Sequence, residues 1–221
     1  MEHGEVSWPS EELPLERTAA HMQELSALLK TGPAFLVGVS MGADIAMRMT
    51  LSQPQMDRGL ILVSPWSHTT EYTWSLVDRL FRLAEAGDMV THTAFFIRYV
   101  VPTTYLNHHS PAIERLRTFA MEQHIKTVAY TWAACMASNL SASLVNIHVP
   151  NLVITGLNDL FTPQYVARAV TEELPEVELE IWEETRYFPF LKDSIVSPHG
   201  VGQGYNGAHP MSPFRKAPCP S

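Results

Sequence analysis

The chain has 221 residues, 46% of them hydrophobic and 17% charged. That length fits one domain with room for an insertion, and it buries enough surface (about 70%) to fold without a metal or disulfide staple. With 15 basic and 23 acidic residues the net charge is −8, which argues against a general nucleic-acid or anionic-membrane binder. No apolar run approaches the ~20 residues of a membrane span. The segment Met1–Ser10 lacks the basic-then-apolar order of a secretion signal. Cys135 and Cys219 cannot make a disulfide framework and suit a reducing compartment. The expectation is a cytoplasmic globular protein with a small-molecule substrate and neither nucleic-acid nor membrane partners.

Residues 1–17 carry Pro9 and Pro14 and read as a loop. From Thr18, a candidate N-cap, to Lys30 the apolar residues Ala19, Met22, Leu25, Leu28 and Leu29 recur at helical spacing, and Gly32-Pro33 stops the helix. Ala34–Val37 is a short apolar run ending at Gly38, as in a strand buried on both faces of a parallel sheet. Residues 41–53 read as a helix with Ile45, Ala46, Met49 and Leu51 on its apolar side. Leu60–Val63 is a second buried strand. The stretch 65–150 breaks the rhythm: it holds helical patterns at about 71–86, 90–100, 111–126 and 127–138 and most of the large aromatics, and reads as a helical cap insertion. Leu152–Ile154 is a third strand ending at Thr155-Gly156, followed by a helix at about 163–173. Val177, Leu179 and Ile181 alternate with Glu178 and Glu180, a fourth strand with one wetter face. Strands alternating with helices imply an α/β fold with a mostly parallel sheet of about four strands and flanking helices. The core is expected over 1–64 and 151–196. Pro- and Gly-rich composition without periodicity predicts a disordered tail over 197–221.

The sharpest local feature is Gly38-Val39-Ser40-Met41-Gly42, set between a buried strand and a helix. A serine on such a turn is forced outward at the top of the sheet, and crowding calls for the flanking glycines. The new helix places free N–H groups beside it, so the Met41 N–H is a candidate oxyanion donor. An ordinary glycine-rich turn is the competing reading. Asp159, in Gly156-Leu157-Asn158-Asp159, follows the third strand and belongs on the same sheet edge as Ser40, where open parallel sheets gather their ligands. A turn or helix-capping aspartate before Pro163 is the alternative there.

These motifs in this order, with His3-Gly4-Glu5-Val6-Ser7 near the start, resemble the α/β-hydrolase superfamily over about residues 3–195. The likeness is to its small esterase, lactonase and C–C hydrolase branch with a helical cap. The resemblance implies Ser40 as nucleophile, Asp159 as the acid that orients a histidine, the Met41 N–H in the oxyanion hole, and no cofactor. Two departures stand out. In the family several strands and one oxyanion donor precede the His-Gly turn, so the resemblance implies a truncated fold whose Ala34–Val37 strand has an open edge. Such an edge invites self-association. The family histidine is also missing: Tyr187, in Arg186-Tyr187-Phe188-Pro189, occupies its slot. A phenol with a reference pKa of about 10 is a poor base near neutrality.

Other histidines are weaker candidates. His199 and His209 lie in the tail, and His68 lies at the base of the insertion. His108, His109 and His124 match no recognised metal-site spacing, so no metal is expected. The acidic run Glu172–Glu184 reads as a solvated face. The resemblance thus implies a serine hydrolase for an ester, lactone or similar carbonyl of a small apolar substrate, weak or inactive as the chain stands. The alternatives are a non-catalytic hydrolase-like binding protein and a fragment of a longer gene product.

Overall fold

The computed structural model describes residues 14–108, 110–183 and 185–188. The His3–Ser7 motif, His109 and the 197–221 tail with His199 and His209 lie outside them.

Pro14 opens helix α1 (Leu15–Leu29), earlier than the expected cap at Thr18. Leu15 and Ala19, one turn apart, are both buried, and this packing adds the extra turn. Lys30 ends the helix in a left-handed conformation, its N–H returning to the Ala27 carbonyl. Strand β1 (Ala34–Val39) follows, then α2 (Met41–Ser52) and strand β2 (Asp57–Val63). The buried face of α2 is Ala43, Ala46, Met47 and Thr50; Ile45 and Met49, expected on it, are only half-buried. Between β2 and the next strand lie α3 (Glu71–Glu85), α4 (Met89–Val100), α5 (Thr103–His108), α6 (Ser110–Met121) and α7 (Ile125–Ala137). The single helix expected over 111–126 is interrupted: α6 ends at Met121, and α7 restarts after an extended His124. The short α5 was not legible beside Pro102. Strand β3 (Asn151–Gly156), α8 (Gln164–Glu173) and strand β4 (Val177–Trp182) complete the described chain.

The four strands pair in parallel in the order β1-β2-β3-β4. This is the α/β architecture expected, with helices flanking a parallel sheet and a helical stretch inserted between β2 and β3. Leu60, Leu62 and Val153 from the central strands pack with Met47 of α2 and Val170 of α8 in one core cluster. A second cluster joins Trp66, Leu80, Val100, Phe161 and Tyr187 under the inserted helices. Both are contiguous apolar layers of the kind that dominates folding free energy.

One expectation fails at β1. It was read as buried on both faces, yet its residues alternate: Leu36 packs into the core while Val37 is 67% exposed and Phe35 36%. The reason is position. The inner strands β2 and β3 are flanked by strands on both sides, whereas β1 is an edge of the described sheet, with the Arg58 guanidinium over the Phe35 ring. The opposite edge strand β4 carries Glu178 and Glu180, charges that discourage pairing, and β1 carries none. The self-association expected from the sequence would give a mass that rises with concentration in light scattering and falls back in Val37→Lys. A monomer at every concentration contradicts it.

Candidate functional site

The turn from β1 into α2 is strained at one residue. Ser40 sits at φ 54° and ψ −121°, a region that costs a side-chain-bearing residue on the order of 1–3 kcal/mol. Its surroundings hold it there. The Ser40 N–H donates to the Val63 carbonyl at 2.9 Å, and its own carbonyl accepts from Ala43 at 2.8 Å. The Met41 N–H, first in α2, has no partner within its own helix. Of the two flanking glycines only one is sterically required. A Cβ on Gly38 would stand 2.3 Å from the Gly42 carbonyl oxygen, whereas one on Gly42 meets nothing within 4 Å. The expectation that both were needed is corrected for Gly42, whose Cβ direction opens onto free space.

Asp159 lies in the turn after β3 and is 4% exposed. Its Oδ1 accepts the N–H groups of Phe161 and Thr162, both at 2.8 Å. Its Oδ2 accepts the Thr162 hydroxyl at 2.8 Å and the Ser64 hydroxyl at 3.0 Å. Burial pushes the carboxyl above the usual range, and these hydrogen bonds pull it back. No histidine is among these partners. Ser64, which the sequence reading missed, is fully buried at the end of β2 with φ 48°. Its hydroxyl lies 3.0 Å from Asp159 Oδ2 and 2.9 Å from the Tyr187 carbonyl, so a single proton has two acceptors. A signal was available: Val63-Ser64 ends a buried strand on the same sheet edge as Val39-Ser40.

Tyr187 arrives on a tightly held segment. The Thr185 carbonyl accepts from the Asn158 N–H at 3.0 Å, and a Cβ on Gly156 would stand 2.2 Å from the Arg186 carbonyl oxygen. The Arg186 guanidinium donates to the Arg98 carbonyl and the Thr103 hydroxyl of the insertion, at 3.0 and 3.1 Å. The Tyr187 ring is 2% exposed and packs edge-on against Phe161 and Phe188, centroids 5.1 and 4.9 Å away. Its phenol neighbours the Ser40 side chain. Burial, aided by the nearby Asp159, pushes the phenol's pKa far up, so it stays neutral.

Ser40, Asp159 and Tyr187 follow the carboxyl ends of β1, β3 and β4. His68 is not brought in. Its Nδ1 is engaged by Ser141 at 2.9 Å and Ser67 at 3.2 Å, and it bridges to Asn139 where the insertion rejoins the core. Among the described residues no group of three or more His, Cys, Asp or Glu side chains is placed to hold a metal.

A cavity of about 20 Å³ opens beside Ser40, walled by Trp66, Val77, Trp132, Cys135 and Phe161. Three threonines also line it, and the hydroxyls of two are turned to backbone carbonyls: Thr69 to Cys135 and Met136, and Thr73 to Thr70. The Thr162 hydroxyl is held by Asp159. Cys135 is buried, which pushes its thiol far up and keeps it neutral. Among the described residues that line the cavity, Ser40 is the hydroxyl-bearing side chain turned neither to a backbone carbonyl nor to Asp159.

The chain is similar to known proteins. A protein of Mycobacterium bovis, uncharacterized, is 25% identical over 209 residues, a match that covers 86% of this chain and 61% of that protein. The chain thus spans less than two thirds of that relative's length. The pimeloyl-[acyl-carrier protein] methyl ester esterase of Nitrosomonas europaea is 24% identical over 177 residues, covering 77% of this chain and 70% of the esterase. Among solved structures, a hydrolase from Pseudomonas aeruginosa superposes with a TM-score of 0.74 at 26% identity, over 81% of this chain and 67% of that one. The model of the serine aminopeptidase S33 family matches residues 4–186. The chain belongs to that family and has the α/β-hydrolase fold.

Proposed function

We propose that this chain carries an ester-hydrolysing site of the serine-nucleophile kind for small apolar esters, and that Tyr187 holds its turnover low. The observation that carries the reading is the strained Ser40 at the elbow, lining an apolar cavity. Ser40 Oγ would attack the ester carbonyl, and the Met41 N–H would hold the resulting oxyanion. Asp159 supplies the buried carboxylate that, in this reading, orients a base. A neutral phenol can hydrogen-bond the serine but cannot take its proton near neutral pH, so the attacking alkoxide is scarce.

The ester class is supported by the named activity of the Nitrosomonas relative. The cavity supports an ester over a peptide with a charged amine, because no carboxylate lines it. A second reading, a non-catalytic binding protein, is favoured by the Asp159 hydrogen bonds, which already meet both carboxylate oxygens twice. Hydrolysis of p-nitrophenyl acetate decides between them. The proposal expects slow turnover that disappears in Ser40→Ala. Turnover equal in the two proteins favours the binding reading. A kcat/KM above about 10⁴ M⁻¹s⁻¹, ordinary for an enzyme, overturns the claim that Tyr187 silences the site.

A further inference from the structure

We infer that Trp132, pinned by His92, is the wall that sets the length of the acyl chain admitted beside Ser40, and that the pocket admits chains of acetyl or propionyl size. The inference deepens the proposed function and rests on its placement of the substrate against Ser40.

Size is the first argument. A cavity needs roughly 10–15 Å³ to hold one water, so about 20 Å³ leaves room for one or two small groups, a methyl or an ethyl. Polarity is the second. The threonine hydroxyls are engaged elsewhere and the Cys135 thiol is neutral, so a carbon chain loses no hydrogen bond by entering and no charged chain is accommodated.

The third argument is how the wall is held. Trp132 projects from α7 between the Phe96 and Phe161 rings, with centroids at 5.6 and 6.0 Å. Its indole Nε1–H donates to His92 Nε2 at 2.8 Å, across from α7 to α4. His92 is 6% exposed, and burial pushes its pKa down to about 4, so the imidazole is neutral and free to accept. With Nε2 accepting, the proton sits on Nδ1, which is buried and has no partner among the described residues. An apolar side chain would spare the fold that unpaired donor. What the histidine supplies is a fixed acceptor for one indole. It therefore acts through Trp132 as a positioning residue.

The test is a tryptophan-fluorescence titration of the full chain with straight-chain methyl esters, from acetate to octanoate. The expected result is binding of methyl acetate and propionate, with affinity at least tenfold weaker for octanoate. Trp132→Ala, read through Trp66, is expected to reverse that order, because each methylene newly buried adds about fourfold. His92→Leu keeps the indole but removes its anchor, and is expected to bind octanoate better than the parent does. It also carries the test if Trp132→Ala does not fold. An unchanged chain-length profile in the variants, or a parent protein that already prefers octanoate, overturns the inference. A parent protein with the expected profile but no hydrolysis that Ser40→Ala removes defeats the hydrolytic reading alone, and a flat profile with Ser40-dependent hydrolysis defeats this inference alone.

Discussion

Replacing Tyr187 with histidine is expected to raise hydrolysis of p-nitrophenyl acetate by about 10²–10⁴-fold, the usual contribution of a positioned general base. The change exchanges a phenol that burial holds neutral for an imidazole, which is neutral near pH 7 with a ring nitrogen able to take a proton. Position favours it, since residue 187 already faces Ser40 from a segment locked by Thr185 and Arg186. The carboxylate can also make room. Ser64 shares one proton between Asp159 Oδ2 and the Tyr187 carbonyl, so when it donates to the carbonyl a lone pair on Oδ2 is free for an imidazole N–H. The new side chain is smaller than the phenol and loses ring contacts with Phe161 and Phe188, at a cost of about 2 kcal/mol in stability. Initial rates and a melting curve on the same preparation separate the two effects. A folded variant with no gain in rate removes Tyr187 as the cause of weak turnover.

The second large effect is on stability. Gly38→Ala is expected to lower it by about 3 kcal/mol or more, because the added methyl meets the backbone of Gly42 and Ala43, which cannot rotate away as a side chain can. For a chain of this size that is roughly 10 °C in Tm. Gly42→Ala is the control. It sits in the first turn of α2 with open space where its Cβ would go, and alanine favours a helix over glycine by about 1 kcal/mol. It is expected to leave Tm unchanged or raise it slightly. Equal losses in both variants, measured by thermal unfolding, contradict the assignment of the crowding to Gly38.

The sheet and its connections were legible because buried parallel strands announce themselves: Leu60–Val63 and Leu152–Ile154 are unbroken apolar runs, and Leu60, Leu62 and Val153 pack with residues of α2 and α8. Ala34–Val37 looked the same in sequence but lies at an edge, and composition cannot tell a strand with two covered faces from one whose second cover lies elsewhere. Ser40 and Asp159 were legible because strand ends fix where the next residues stand. Tyr187 was found by its place after the fourth strand, but its contact with Ser40 depends on long-range packing against Phe161 and Phe188. Ser64 and His92 were missed for the same reason. One is a lone serine after a strand, the other a lone histidine in an apolar helix, and each gains meaning only from a partner 95 or 40 positions away.

The central claim is that Ser40 is the reactive group and that the residue at 187 decides whether it reacts. Intact-mass spectrometry of Tyr187→His after exposure to an alkyl fluorophosphonate tests it most directly. In that reaction the serine oxygen bonds phosphorus as fluoride leaves, and the imidazole takes the serine proton and passes it to water. The account predicts a single adduct, mapped to Ser40, slower to form in the parent chain and missing when Ser40→Ala is added. No adduct in a folded Tyr187→His protein, or one that survives the loss of Ser40, would contradict it.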